Sequence, residues 1–472
     1  MARKPSALRR PAEQVPLHED SFLLRISARL ARYRLALVAL AGAWLFGGAS
    51  RFDTTAPFVA STVAIVVLAM LYTVREVPTL TLLEKIAWGL MAFIFVVQLV
   101  PLPPALWTAL PGRSFPREVF AQLGERPWLP LSLTPGRTFV SFFAIFPPLA
   151  VYLSAKGLSR QEGDRLLAWL VGFAALAALL GLFQFAGGND TALRFYAVTN
   201  RDAAVGFFSN ANHFGVWSAS LVPVTIYLTL GALTSDARGR KSIAALGFGI
   251  SALLALGAIL SFSRAAYVVL LIATLVSGAG ALRFTHITPR KKGMIAGGAA
   301  LAVVAAMAFV VSTDAFLRMA EVSDIDPTGR RGRLEYVPLF LKIIADTLPF
   351  GTGIGSFDPV NRAYETYTDI GRTYLNNAHN EPAQLLIETG ILGLAAGAAW
   401  LWLFAKRGFG ALSDPSRMDA GDLGIFRAVV LILPIFILLA HSLVDYPLRT
   451  SAAAATFALC LALLAGSKRT TQ

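Results

Sequence analysis

The residues able to do chemistry gather in a few short polar motifs. Asn200-Arg201-Asp202 leads within thirteen residues to Ser209-Asn210-Ala211-Asn212-His213. Leu260-Ser261-Phe262-Ser263-Arg264 forms a very short turn between two apolar runs. Gly329-Arg330-Arg331-Gly332-Arg333 and Asn376-Asn377-Ala378-His379-Asn380-Glu381-Pro382 stand toward the two ends of a long loop that includes an apolar stretch up to Asp346, and His441 and Asp445 stand near the end of the chain. Arginine forks match phosphate oxygens in bidentate fashion, so Arg201, Arg264 and Arg333 are candidates for holding an anionic group. A neutral imidazole can take a proton from a hydroxyl, which makes His379 a candidate general base.

Each residue also has a plainer explanation. Asn210 or Asn212 can cap a helix, although a cap accounts for one asparagine and not for Arg201, both asparagines and His213 together. His213 can hydrogen-bond locally at a helix start. Arg264 can snorkel to lipid phosphates. His379 can tie a loop to its neighbours; it precedes a helix start in which Asn380 suits the N-cap and Pro382 the first turn. The positive end of that helix would disfavour imidazolium. Gly351, Gly353 and Gly355 lack the Lys-Ser/Thr pair of a phosphate-binding P-loop, so tight turns and close backbone approach are the expected use. His18 and His286 lie among basic residues and are assigned no role.

The elements that must position these groups are membrane spans. The chain has 472 residues, 56% hydrophobic and 15% charged, with a mean hydropathy of +0.61. Soluble domains carry about 25% charged residues, so a disordered chain is excluded and an ordinary soluble enzyme disfavoured. The single cysteine, Cys460, cannot form an internal disulfide or a cysteine-based zinc site. A spanning helix needs about 20 mainly apolar residues. That criterion predicts an all-α polytopic protein with twelve spans, at 33–50, 57–74, 84–101, 138–155, 166–186, 212–233, 242–261, 265–282, 294–312, 385–405, 426–443 and 451–467. Pro147-Pro148 should kink the fourth.

The net charge of +14 follows topology rather than a nucleic-acid surface. With the N-terminus in the cytoplasm, 26 of the 42 Lys and Arg residues fall in the inner segments, which carry +15 net, against −1 outside. His213, His379, His441, Arg201, Arg264, Arg333 and Asp445 then all face the outer side. The organisation reads as a basic cytoplasmic segment (1–32), a membrane domain with spans one to nine (33–312), an outer loop domain (313–384), a membrane domain with spans ten to twelve (385–467) and a cytoplasmic tail (468–472). Residues 1–32 lack the apolar core and cleavage site of a signal peptide. Phe22, Ile26, Leu30 and Tyr33 with interleaved arginines fit either an amphipathic surface helix or a basic flank to the first span. Residues 102–137, rich in Pro and Trp, suit the membrane interface.

The order of "NRDAAVGFFSNANHFG", "LSFSRAAY", "GRLEY…PFGTGIGSF", "NNAHNEPAQLLIETGILGL" and the closing "HSLVDYPLR" resembles the bacterial O-antigen ligase and O-antigen polymerase superfamily over about residues 195–395. The resemblance implies a metal-independent glycosyltransferase of the inner membrane, without cofactor, whose site faces the periplasm. It implies a donor glycan on undecaprenyl diphosphate and an acceptor that is lipid A–core for a ligase or another lipid-linked repeat unit for a polymerase. It places the family's loop histidine on His379 and its diphosphate-binding arginines on Arg201 and Arg264, with Arg333 a loop candidate. Asn210, Asn212, His213, Asn380, His441 and Asp445 would support them. Tyr336 stands where Trp is common, and Glu381-Pro382 departs from the usual sequence after His-Asn.

The chemistry is coherent with these residues. A donor that already carries a diphosphate leaving group needs no nucleotide site, and arginines can neutralise the charge developing on it. One base can deprotonate the acceptor hydroxyl, and direct attack inverts the anomeric centre. A secondary transporter or flippase would place charges near the midplane and show related halves; here polar groups gather at one face. A structural subunit of a polysaccharide machine would not need His379 and the arginines together. Reporter fusions at Gly239 and Asp369 are expected to report opposite sides of the membrane; two cytoplasmic signals would overturn the topology.

Overall fold

The structure, a computed structural model, describes residues 18–50, 55–235, 238–284, 333–366, 375–418 and 423–466. Helices α1 (His18–Phe46), α2 (Ala56–Thr73) and α3 (Leu82–Leu99) open the chain. A loop carrying the short helices α4 (Pro104–Trp107) and α5 (Ser114–Leu123) leads to α6 (Pro135–Phe142) and α7 (Phe146–Ala155). Then come α8 (Arg160–Ala186), α9 (Ala211–Ser220), α10 (Val222–Thr234), α11 (Arg240–Leu260) and α12 (Arg264–Phe284). The later part has α13 (Val337–Thr347), α14 (Phe357–Tyr364), α15 (Glu381–Ser413), α16 (Gly424–His441) and α17 (Ser451–Leu463).

Among the described residues, nine helical segments are long and apolar enough to cross a membrane, with α6–α7 and α9–α10 each counting as one. Of the other three expected spans, the first is the apolar half of α1, the last is the shorter α17, and 294–312 lies outside the described residues. The basic stretch before Tyr33 is not a separate surface helix: α1 runs through it without a break. Pro147 and Pro148 sit in the first turn of α7, after a 3-10 turn at Phe143–Ile145, so the expected kink is a helix boundary. The all-α expectation needs one amendment, a two-residue antiparallel pair joining Pro101–Leu102 (β1) to Leu129–Pro130 (β2).

Apolar side chains at helical spacing explain the packing. Ala36, Ala39, Leu40, Ala43 and Trp44 make one buried face of α1. α17 is the central element, with Ala452, Ala455, Ala458 and Ala462 almost wholly covered. It packs closely with α7, whose Ala150 and Ala155 are fully buried. Small side chains let membrane helices approach each other. α17 has 13 residues, about 20 Å of helix, which falls short of a hydrocarbon core of about 30 Å. The irregular chain before it, 442–450, is mostly buried in protein.

α15 is interrupted at Gly390 (φ 58°, ψ −143°), a backbone conformation closed to other residues. The segment after α13 fills the interruption. Thr352 N–H donates to Ile387 O at 2.9 Å, Gly353 N–H to Glu388 O at 2.8 Å, and Ile391 N–H to Pro349 O at 3.0 Å. Gln98 Nε2, from the end of α3, also donates to Glu388 O. A Cβ on Gly390 would lie 2.0 Å from Pro349 O, and one on Gly353 would lie 2.1 Å from Ser132 Oγ. The glycines therefore serve close backbone approach, as expected from the sequence.

At the opposite end of the bundle, Glu84 is fully buried and gathers three helices. It accepts from Tyr152 Oη at 2.6 Å, Lys156 Nζ at 2.6 Å and the Arg407 guanidinium. Removing one partner of a buried pair strands the remaining charge, which costs about 3–5 kcal/mol. Glu84→Ala is accordingly expected to lower the apparent Tm of the purified protein sharply, while Glu76→Ala, a half-buried carboxylate at the same end, should change it little. Equal Tm values for the two variants would contradict this account.

Candidate active site

Four chain segments meet at the other end of the bundle. Asn210 caps α9 by accepting from Asn212 N–H at 2.8 Å, which sets His213 on the first turn. Asn380 caps α15 by accepting from Ala383 N–H at 2.9 Å, which sets His379 just outside the helix. α16 ends at His441, and a tight turn carries the chain to Asp445. A 3-10 turn over Pro447–Arg449 then leads into α17.

Asp445 is the hub. Its carboxylate is fully buried and accepts from His379 Nδ1 at 3.1 Å and from Asn212 Nδ2 at 3.2 Å. Tyr446 N–H donates to the same carboxylate at 3.0 Å. His213 Nε2 lies 3.5 Å from it and His441 Nε2 3.9 Å. Burial alone would raise the Asp445 pKa; hydrogen bonds and charge from His213 and His379 outweigh that and hold it well below the usual carboxylate range. A carboxyl depressed in the fold adds stability above its unfolded pKa of about 3.9, and that stability is lost only as pH falls through the folded value. The ring of Tyr446 stands edge-on to both His213 and His379, with centroids 5.0 and 4.9 Å away.

His379 itself has φ +50°, a left-handed conformation uncommon for a side chain of its size. The surroundings hold it there. Glu381 N–H donates to Ser442 O at 2.8 Å, and Asn380 Nδ2 donates to Leu443 O at 3.1 Å. Arg449 clamps the start of α15 through Glu381, at 2.5 and 3.2 Å, and through Glu388, at 3.1 Å. Gln384 reaches Ala378 N–H, Asn377 and Glu388. With Nδ1 committed to Asp445 and 18% of its side chain exposed, the His379 ring can present Nε2 to a reactant. That is the arrangement of an oriented general base.

The structure thus brings His379, His213, His441, Asn212 and Asp445 together and gives Asn210 and Asn380 capping roles. Arg201 and Arg264 are exposed, whereas the hub is buried. Arg201 is exposed and pairs with Asp190 at 3.2 Å. Arg264 is exposed at the first position of α12. Both lie at the same end of the bundle, because Ala204 N–H donates to Leu260 O and Ala203, Val205 and Ala211 pack with Phe262. Arg333 opens a 3-10 turn, Arg333–Tyr336, and its side chain lies outside the described residues. Among the described residues, no group of three or more His, Cys, Asp or Glu is arranged to hold a metal ion.

Sequence reasoning passed over Tyr446, Arg449, Glu381 and Glu388 as participants. Two signals were present. Tyr446 and Arg449 share one short motif with Asp445, and Glu381, Gln384 and Glu388 recur at the spacing of one helix face.

No curated protein matches the chain. Residues 249–398 match the family model described as O-antigen ligase. The matched stretch runs from α11 through His379 and into the spanning part of α15. Within this multi-pass membrane protein, that stretch is similar to the O-antigen ligase family, which supports a relation to the O-antigen ligase and polymerase superfamily.

Proposed function

We propose that the protein is a glycan transferase of O-antigen ligase type. It moves a glycan from undecaprenyl diphosphate to an acceptor hydroxyl at the periplasmic face of the inner membrane. The observation that carries this reading is the His379–Asp445 pair, 3.1 Å apart, at the start of α15.

In the proposed reaction the acceptor hydroxyl gives its proton to His379 Nε2. Its oxygen attacks the anomeric carbon as the bond to the diphosphate oxygen breaks, and the diphosphate leaves with the electron pair. Attack from the opposite face inverts the anomeric centre. Asp445 keeps the Nδ1–H of His379 directed inward, fixing the tautomer that leaves Nε2 able to accept, and stabilises the imidazolium as it forms. Arg201 and Arg264, with Arg333 from the loop, hold the diphosphate and neutralise its growing charge. His213, His441 and Asn212 keep the Asp445 carboxylate in place. Burying that carboxylate without partners would be costly.

A general base contributes roughly 10²–10⁴-fold. His379→Gln, which keeps a hydrogen bond but cannot take a proton near neutral pH, is therefore expected to reduce glycan transfer by that range in proteoliposomes, with membrane abundance unchanged. Near-wild-type transfer would remove His379 as base.

Two further variants separate the roles. Asp445→Asn keeps the shape but favours the wrong tautomer, a change worth about 10⁴ in kcat in an analogous triad; kcat should fall with little change in donor KM. Arg264→Lys keeps the charge and loses the planar fork, so donor KM should rise more than kcat falls. If both variants alter the same parameter, base positioning and donor binding have not been separated correctly. Offering lipid A–core and a lipid-linked repeat unit in parallel distinguishes ligase from polymerase.

A further inference from the structure

Arg194 and Gln184 take no part in the proposed reaction, yet they organise the loop that carries Arg201. Residues 187–210 join α8 to α9 without forming a helix or strand. Such a stretch has no ladder of its own, so its backbone groups need partners from elsewhere. Gln184, fully buried in the last turn of α8, supplies the first set. Its amide accepts from Val205 N–H at 3.2 Å and Gly206 N–H at 2.8 Å. It donates to Gly206 O at 2.9 Å and Leu193 O at 3.0 Å.

Arg194, partly buried, braces the loop from inside. Its guanidinium donates to Asn200 O at 2.8 Å, Ala203 O at 3.1 Å, Gln184 O at 3.3 Å and the carbonyl of Arg201 itself. These carbonyls lie at Arg201 and on both sides of it. A rigid fork of several N–H donors can hold them together, which a single ammonium cannot do as well. Both terminal nitrogens of Arg194 are turned onto backbone carbonyls, so it serves as a brace and not as a phosphate ligand.

The braced loop is tied down on each side of Arg201. Asn200 Oδ1 accepts at 2.9 Å from the N–H of Ala211, the first residue of α9, the helix that bears His213. Ala204 N–H donates at 2.9 Å to Leu260 O, at the end of α11 just before the turn to Arg264. The backbone at Arg201 is thereby set against both the helix of the buried hub and the segment leading to Arg264. The Arg201 side chain is exposed, held by Asp190 alone among the printed contacts at the surface, and loses rotamer freedom on binding. Fixing the backbone beforehand is what lowers the cost of bringing two arginines onto one anion.

We propose that Arg194, with Gln184 behind it, is a positioning residue for the donor: it holds the 187–210 loop so that Arg201 stands in register with Arg264 for a polyprenyl diphosphate. The proposal rests on the transferase reading, which it deepens by naming what presets the arginine side of the site.

The test uses the full chain in phosphatidylcholine nanodiscs, with geranylgeranyl diphosphate as the probe and its binding followed by calorimetry against empty discs. Arg194→Lys keeps the charge and loses the fork, so it should weaken probe binding about tenfold. Amide exchange across 200–206 should speed up in that variant, with acceptor KM unchanged. Asn200→Ala alters an exposed residue and should fold even if Arg194→Lys does not; releasing the loop from α9 should weaken binding about threefold. Arg201→Gln should weaken binding without speeding exchange. Adding Arg194→Lys to Arg201→Gln should cost little more, because one residue acts through the other. Wild-type affinity in Arg194→Lys or Asn200→Ala, unchanged exchange in Arg194→Lys, additive losses in the double variant, or no probe binding by the wild-type chain overturns the proposal. Failure of the transferase reading looks different: His379→Gln would retain transfer while the probe series kept the order given.

Discussion

A carboxylate buried in a membrane protein must be surrounded by donors or it will not stay ionised. Asp445 sets that requirement for this fold. Its oxygens face groups from α9, from the turn before α15 and from the end of α16. Those segments are far apart in sequence, and satisfying one side chain fixes their relative positions. α17 then begins only after the chain has left this hub, which is why the central helix is short. The polar interior and the truncated helix are two results of one constraint.

Charge is sorted into zones by the same arrangement. Glu84 and Asp164 collect basic partners at the opposite end, the latter pairing with Arg427 at 2.9 Å and Arg160 at 3.2 Å. At the Asp445 end, carboxyl groups gather in the interior and face imidazoles, amides and Arg449, while Arg201 and Arg264 stay at the rim. A base near carboxylates and a phosphate-binding rim are electrically incompatible if superposed. Separating them lets one site hold both a proton acceptor and an anionic donor in the proposed reaction.

Much of this could be read from residue patterns. Apolar run lengths located nearly every membrane helix that the structure describes, since lipid exposure and helix length leave few alternatives. The caps at Asn210 and Asn380 were legible because capping is local chemistry. The convergence of His213, His379 and His441 was visible only as a shared face, since pairing across 66 residues leaves no periodic signal. Arg449 was missed because an arginine next to a span reads as a basic flank; its partners Glu381 and Glu388 are identifiable only once α15 and the 3-10 turn are packed together. Of the two readings of the N-terminal stretch, a surface helix or a basic flank to the first span, the continuous α1 matches the flank: nothing between His18 and Tyr33 breaks a helix, so it continues into the span.

The interruption at Gly390 has a mechanical meaning. Along an unbroken helix, a change of tilt at one end is carried to the other by axial hydrogen bonds. In α15 several bonds at the break run sideways, to the 349–353 segment and to Gln98, so the first turns are anchored to the loop layer as well as to the rest of the helix. Bilayers of different thickness make spanning helices tilt. The turns beside His379 are held by the 349–353 segment and Gln98 as well as by the 391–413 rod, the part on which a change of bilayer thickness would act.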